Sequence, residues 1–330
     1  METTYPPQRM AADILTSQRF PEDVVAPFAQ RFTIDQGPPG GLLPYAEMVE
    51  RVAGCRALLP TSIDRVDDAL LARAQTLRVV ANVGVGYNHI DVAAATRRGI
   101  WVTNTPGVLT DTTADLTLTL LLGTLRRVSD ASEHVRHGHW NANRQDLFWG
   151  SDPRYLTLGI FGLGAIGQAV ARRVAPFGMR IIYHKRTPLP ADLEQQLNAT
   201  YVSFDELIET SDVLTLHVPL TDETRGRIGR REFARMRPGV FIINTARGAI
   251  MDEDALTEAL QSGHVAGVGL DVTANEPDVA QALREHPRAL ILPHIASATR
   301  QTRGGMMRMA LDNAAAVLDG KPPINPVNRV

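Results

Sequence analysis

Residues 159–167 read Gly159-Ile160-Phe161-Gly162-Leu163-Gly164-Ala165-Ile166-Gly167. Gly162, Gly164 and Gly167 form G-x-G-x-x-G, a weak pattern on its own. Its setting makes it informative. An apolar run, Leu156–Phe161, precedes it, a helical pattern over Ala165–Phe177 follows it, and a second apolar run starts at Arg180. Strand, glycine turn, helix and strand in that order are the phosphate-binding start of a dinucleotide domain. Gly162 permits the tight turn, Gly164 lets the backbone approach a pyrophosphate, and Gly167 lets the helix pack on the strand. The helix N-terminus then stabilises the phosphate charge.

Further apolar runs are predicted as strands at Arg180–Tyr183, Val213–His217, Val240–Asn244, Val265–Asp271 and Leu290–Leu292. Helical patterns at Phe204–Thr210, Arg230–Met236 and Asp252–Ser262 separate several of them. Near-continuous apolar strands alternating with helices indicate a parallel sheet covered on both faces. Upstream, Asp13–Thr16, Ala57–Leu59, Val79–Val83 and Trp101–Thr103 are short apolar runs between Gly- and Pro-rich turns, which reads as a smaller open α/β domain. Asn104-Thr105-Pro106-Gly107 punctuates the chain, and one long helix is expected from Thr110 to Arg136. After His294 a helix over Arg300–Asp319 and a Pro-rich tail return to the first domain. The expected organisation is a discontinuous domain of 1–103 and 297–330, with a dinucleotide domain of 104–296 inserted into it.

Composition bounds the function. The 330 residues carry a formal charge of −2, with 44% hydrophobic and 21% charged residues. That balance is ordinary for a globular protein and lacks the basic excess of a nucleic-acid binder. The single cysteine, Cys55, excludes an intramolecular disulfide and a multi-cysteine zinc site, and no metal site is expected. Neither a signal pattern in METTYPPQRM nor a membrane span is read, so a cytoplasmic protein is expected.

The end of the second strand selects the cofactor. An NAD enzyme needs an acid there to accept bonds from the ribose hydroxyls. This chain has Tyr183-His184-Lys185-Arg186-Thr187, and no acid appears before Asp192. Lys185, Arg186 and Thr187 suit a 2′-phosphate, so NADP(H) is the expected cofactor. Lys185 is one of only two lysines, Lys321 being the other.

Three candidates for chemistry follow three successive strands: Arg247, Glu276 and His294. Ligands of open parallel sheets bind beyond the carboxyl ends of the strands, so all three should converge there. Reducing a carbonyl by hydride needs a proton donor, which His294 supplies. Glu276 would orient the ring and favour its charged form, and Arg247 offers a planar fork for a carboxylate. A second glycine turn, Asn82-Val83-Gly84-Val85-Gly86, ends a strand of the first domain. Val85 and Gly86 could hold the same carboxylate through their N–H groups. His89 and Asp91 read as structural, supporting the next helix.

Together these segments resemble the D-isomer-specific 2-hydroxyacid dehydrogenase family over nearly the whole chain. The likeness rests on Gly86–Asp91, Asn104–Arg127, Gly162–Gly167, His217-Val218-Pro219-Leu220-Thr221, Asn244–Gly248, Gly269–Pro277 and Pro293–Thr299. Within the family it is most similar to glyoxylate/hydroxypyruvate reductases, including relatives of 2-ketogluconate reductase. Ala296 stands where these reductases usually have glycine. The resemblance implies a Rossmann-type doubly wound domain inserted into a smaller flavodoxin-like α/β substrate domain. It implies Arg247, Glu276 and His294 as the catalytic set and Val85 and Gly86, with Arg247 and His294, as substrate contacts. It also implies cofactor contacts at Ala165, Ile166, His217, Thr245, Asp271 and the 185–187 turn. The implied assembly is a homodimer through the dinucleotide domain and its 109–136 region, with Trp149 either packing there or bordering the partner's site. The expected activity is NADPH-dependent reduction of small 2-oxo acids (glyoxylate, hydroxypyruvate, with 2-ketogluconate a further candidate) to D-2-hydroxy acids. Larger 2-oxo acids such as phenylpyruvate, or a non-enzymatic NAD(P)-sensing role, are the alternatives.

Overall fold

The computed structural model describes residues 12–330; the reading of the METTYPPQRM stretch lies outside them. The chain divides into two compact units, Met1–Val108 with Thr299–Val330, and Leu109–Ala298.

The first unit holds a parallel sheet of β1 (Ile14–Thr16), β2 (Ile34–Gln36), β3 (Ala57–Leu59), β4 (Val79–Ala81) and β5 (Trp101–Thr103). The order is β2-β1-β3-β4-β5, the flavodoxin-like arrangement. Ile14, Leu15, Ala57, Leu58, Leu59, Val79 and Val80 are all buried, so both sheet faces are covered. That is why these strands are unbroken apolar runs rather than alternating ones. The Arg300–Leu318 helix packs on β3 and β4.

The second unit begins its sheet with β6 (Thr157–Phe161), β7 (Arg180–His184) and β8 (Ala199–Tyr201). It continues with β9 (Val213–Leu216), β10 (Val240–Asn244), β11 (Val265–Leu270) and β12 (Ala289–Ile291). The order is β12-β11-β10-β9-β6-β7-β8, parallel throughout. Counted within the unit, this is the doubly wound 3-2-1-4-5-6 order with one strand added at the edge. The chain moves outward from β6 to β8, then crosses back to β9 beside β6. The turn after β6 therefore sits where the winding direction reverses, the place such sheets reserve for ligands.

One local expectation is corrected, and two strands, β2 and β8, lie where no strand was expected. The Thr110–Arg136 helix is two helices, Thr110–Leu125 and Val128–Arg136, separated by Arg127 at φ 56°. The Ser151 N–H donates to the Leu125 carbonyl at 3.0 Å, giving the first helix a partner for an otherwise orphaned end group. Arg127 pairs with Asp130 at 2.5 Å and lies over the Phe148 ring. β2 and β8 carry no strong apolar run, because both are short edge strands of their sheets.

Candidate active site

The glycine turn divides its labour among three positions. Gly162 has φ +99°, a conformation open to glycine and costly to other residues. A Cβ on Gly167 would lie 2.4 Å from the Gly162 carbonyl oxygen, so the helix packs against the turn without room for a side chain. A Cβ on Gly164 would meet nothing within 4 Å, and Gly164 and Ala165 are exposed. The open side of the turn thus lies at the start of the ten-residue Ala165–Val174 helix, whose first N–H groups have no partner within the helix. This cradle fits the pyrophosphate of a dinucleotide, and Ala165 and Ile166 lie in it.

Next to it, β7 ends in His184 and the turn Lys185-Arg186-Thr187, with Arg186 and Thr187 exposed and Lys185 half-buried. The acid nearest downstream that makes a side-chain bond here is Glu194, and it is engaged: it accepts from the Tyr183 hydroxyl at 2.5 Å. Tyr183 in turn accepts from the Leu189 N–H at 2.7 Å, which ties down the far side of the basic turn. Burial, together with that carboxylate, pushes the Tyr183 phenol up to about 12. His217 follows β9, bonds Thr215 Oγ1 through Nε2 at 2.9 Å, and is pushed down to about 3 by burial. It therefore offers a neutral ring. Thr245 is buried and hydrogen-bonded to Thr117 at 2.9 Å.

The three candidates for chemistry follow β10, β11 and β12. Buried Asn244 ends β10 and braces the next turn: its Oδ1 accepts from Ala246 N–H and its Nδ2 donates to the Arg247 carbonyl, both at 2.9 Å. Arg247 Nη1 donates to the Ala246 carbonyl at 2.6 Å. At Gly248 a Cβ would lie 2.0 Å from the Thr273 carbonyl carbon, so the turns after β10 and β11 run in direct contact. Burial pushes the Arg247 guanidinium down from its ordinary value, and the nearby Glu276 carboxylate opposes that shift.

Glu276 and His294 form a bonded pair: Nδ1 of the imidazole lies 2.7 Å from Oε2. With Glu276 an acceptor, Nδ1 carries the proton toward it, and Nε2 is left for a ligand. The other carboxylate oxygen accepts from Thr273 N–H at 3.3 Å. His294 sits at φ +53°, unusual for a non-glycine residue. Asp271 holds that turn in place. Its carbonyl accepts from His294 N–H at 3.0 Å, and its two carboxylate oxygens accept from Ile295 N–H at 2.7 Å and Ala296 N–H at 2.8 Å. Burial, with Glu276 nearby, pushes the Asp271 carboxyl up; the two N–H bonds and His294 pull the other way.

Asp271 is fully buried, so the direct contact visible here is with the His294 turn. Among the described residues, no cluster of three or more His, Cys, Asp or Glu side chains could hold a metal ion. Asn244 was not singled out from sequence; an asparagine closing a strand just before the candidate Arg247 turn is the signal that points to it.

A dinucleotide cradle at the reversal of a doubly wound sheet, with an arginine and a His–Glu pair at neighbouring strand ends, narrows the choice of family. Residues 118–296 match the family model described as D-isomer specific 2-hydroxyacid dehydrogenase, NAD binding domain. The chain belongs to the D-isomer specific 2-hydroxyacid dehydrogenase family. It is 41% identical to a glyoxylate reductase of Thermococcus litoralis over 97% of this chain and 98% of that protein. A solved protein of Thermus thermophilus superposes with TM-score 0.89 at 44% identity, covering 96% of this chain and 99% of that one. An NADPH-dependent glyoxylate/hydroxypyruvate reductase of Sinorhizobium meliloti, in complex with NADP and malonate, superposes with TM-score 0.83 at 34% identity, covering 96% and 98%. As a 2-hydroxyacid dehydrogenase, the chain is an oxidoreductase with a Rossmann-type NAD-binding domain. Among the described residues, no helix is long and apolar enough to cross a membrane.

Proposed function

We propose that this dehydrogenase reduces small 2-oxo acids, glyoxylate and hydroxypyruvate foremost, to 2-hydroxy acids with NADPH, giving the D-isomer where the product is chiral. The observation that carries the reading is the His294–Glu276 bond of 2.7 Å on strand ends next to Arg247. NADPH held along Gly162–Gly167 supplies a hydride to the C2 carbonyl carbon when bound. His294 gives the proton on Nε2 to the carbonyl oxygen as the C–O double bond becomes single, leaving Nδ1–H bonded to Glu276. Arg247 binds the substrate carboxylate through its guanidinium, and Val85 and Gly86 bind substrate through N–H groups. Gly162, Gly164, Ala165, Ile166 and Gly167 take the pyrophosphate; His217, Thr245 and Asp271 complete the cofactor contacts.

Lys185, Arg186 and Thr187 bind the 2′-phosphate, and the lack of an acid in residues 184–187 removes what would repel it. The solved relative in complex with NADP supports this choice. We also propose a homodimer formed through the 109–298 unit, as exposed Val128, Val135, Trp140, Trp149 and Tyr155 cluster in sequence there. A cytoplasmic setting fits the single, buried thiol.

The test is kinetic: glyoxylate, hydroxypyruvate, 2-ketogluconate and phenylpyruvate, each with NADPH and NADH. The expected result is the highest kcat/KM for glyoxylate or hydroxypyruvate with NADPH. A preference for NADH, or for phenylpyruvate, would overturn the corresponding half of the proposal.

A further inference from the structure

The turn after β4 reads Asn82-Val83-Gly84-Val85-Gly86. A backbone turn carries as many acceptors as donors. It receives an anion more readily when its carbonyls are engaged elsewhere. In this turn they are. The Gly84 carbonyl accepts from Asn82 Nδ2 and from Thr105 N–H, both at 3.0 Å. The Val85 carbonyl accepts from Asn104 Nδ2 at 2.9 Å. The Gly86 carbonyl accepts from Asn82 Nδ2 at 3.0 Å. Among the described residues, the N–H groups of Gly84, Val85 and Gly86 donate to no partner.

Asn82 is fully buried, and its amide has one useful orientation. With Nδ2 toward the turn it donates to two carbonyls; turned over, its oxygen would face both and repel them. The partner that sets the orientation is His89, whose Nε2 lies 3.1 Å from Asn82 Oδ1. Since Oδ1 can only accept, Nε2 carries the proton. Of the two residues expected to support the next helix, Asp91 does so, accepting from Ala94 N–H at 2.8 Å, while His89 turns back to the asparagine.

We propose that Asn82, oriented by His89, and Asn104 are positioning residues that aim the Val85 and Gly86 N–H groups at the substrate carboxylate. They engage three consecutive carbonyls, which leaves the N–H groups to be offered to the anion. None of the three side chains needs to touch substrate. The inference rests on the reading of Val85 and Gly86 as substrate contacts, and it assigns the residues that make that contact possible.

The experiment uses the full-length enzyme, with glyoxylate as substrate at saturating NADPH and oxamate as a carboxylate-bearing competitor. Asn82→Asp keeps the shape but replaces two donors with charge facing two carbonyls. It should raise KM for glyoxylate and Ki for oxamate about tenfold or more, with kcat changed far less and the dissociation constant of NADPH unchanged. Asn104→Ala and His89→Ala should move KM and Ki the same way by less, and His89→Gln, which can still donate to Asn82 Oδ1, should restore them. If the Asn82 variant does not fold, the Asn104 and His89 variants decide. Wild-type KM and Ki in the folded variants overturn the inference while the substrate reading stands. A joint loss of kcat, NADPH binding and melting temperature, with no selective rise in KM, also overturns it, since that is a folding role. A wild-type enzyme that neither reduces glyoxylate nor is inhibited by oxamate sinks the substrate reading, and the inference with it.

Discussion

Gly162-Leu163-Gly164 follows β6 in one unit, and Gly84-Val85-Gly86 follows β4 in the other. Both turns leave a parallel strand at its carboxyl end, and both are read as anion-binding. They are built differently. The first is made from backbone alone: a positive φ at Gly162, whose N–H donates to the His184 carbonyl at 2.9 Å, a contact only glycine allows at Gly167, and a helix that starts at once and leaves its N–H groups forward. In the second, three carbonyls are held back by Asn82 and Asn104, and one of these amides is set by His89. One turn rests on glycines spaced within six residues and on backbone contacts; the other depends on side chains up to about 20 residues away in sequence. Similar glycine patterns can thus need very different support.

The sharpest way to break the contrast is at Gly164. A valine there enters open space, so the fold should keep its melting temperature, as an ordinary surface substitution does. NADPH affinity should drop roughly 100-fold, the worth of about two charge-assisted bonds to the phosphates. Titration of cofactor fluorescence reads the affinity, and calorimetry reads the stability. Gly167→Ala should do the reverse: a Cβ 2.4 Å from a carbonyl oxygen costs stability, about 1–3 kcal/mol by the usual scale of overpacking. Equal stability losses in the two variants would erase the proposed division of labour.

A smaller effect is expected at the basic turn. Replacing Lys185 and Arg186 together with alanine should lower kcat/KM with NADPH about tenfold, the scale of a charge-assisted phosphate contact. The value with NADH should barely move. A parallel decline with both cofactors would mean that the turn does not read the 2′-phosphate. The smallest effect is a lack of reaction. Burial raises the Cys55 thiol to about 11, so the reactive thiolate is scarce until pH rises toward that value. At pH 8 a thiol reagent should leave native protein unlabelled and label it after unfolding; rapid native labelling would contradict that burial.

The legible parts of the fold are those whose cause is local. Buried parallel strands such as Val240–Asn244 are continuous apolar runs because both faces are covered. The G-x-G-x-x-G turn is likewise a six-residue feature. The break at Arg127 was not legible, because the N–H that ends the preceding helix belongs to Ser151. β2 was missed because Ile34-Asp35-Gln36 is a half-buried edge, where one apolar residue suffices and Asp35 is engaged by Arg51. At the candidate site, Arg247, Glu276 and His294 are proposed from their places after three strands. Their supports were not legible: Asn244, the two N–H bonds to Asp271 and the asparagine brace at Gly84–Gly86 are all matters of side-chain reach, which periodicity does not encode.

In the proposed reaction the imidazole held by Glu276 gives up the proton during reduction. Glyoxylate turnover by a His294→Asn enzyme, at saturating NADPH, tests it most directly. A loss of roughly 10²–10⁴ in kcat is expected, with the dissociation constant of NADPH unchanged. Turnover at the wild-type rate would contradict it.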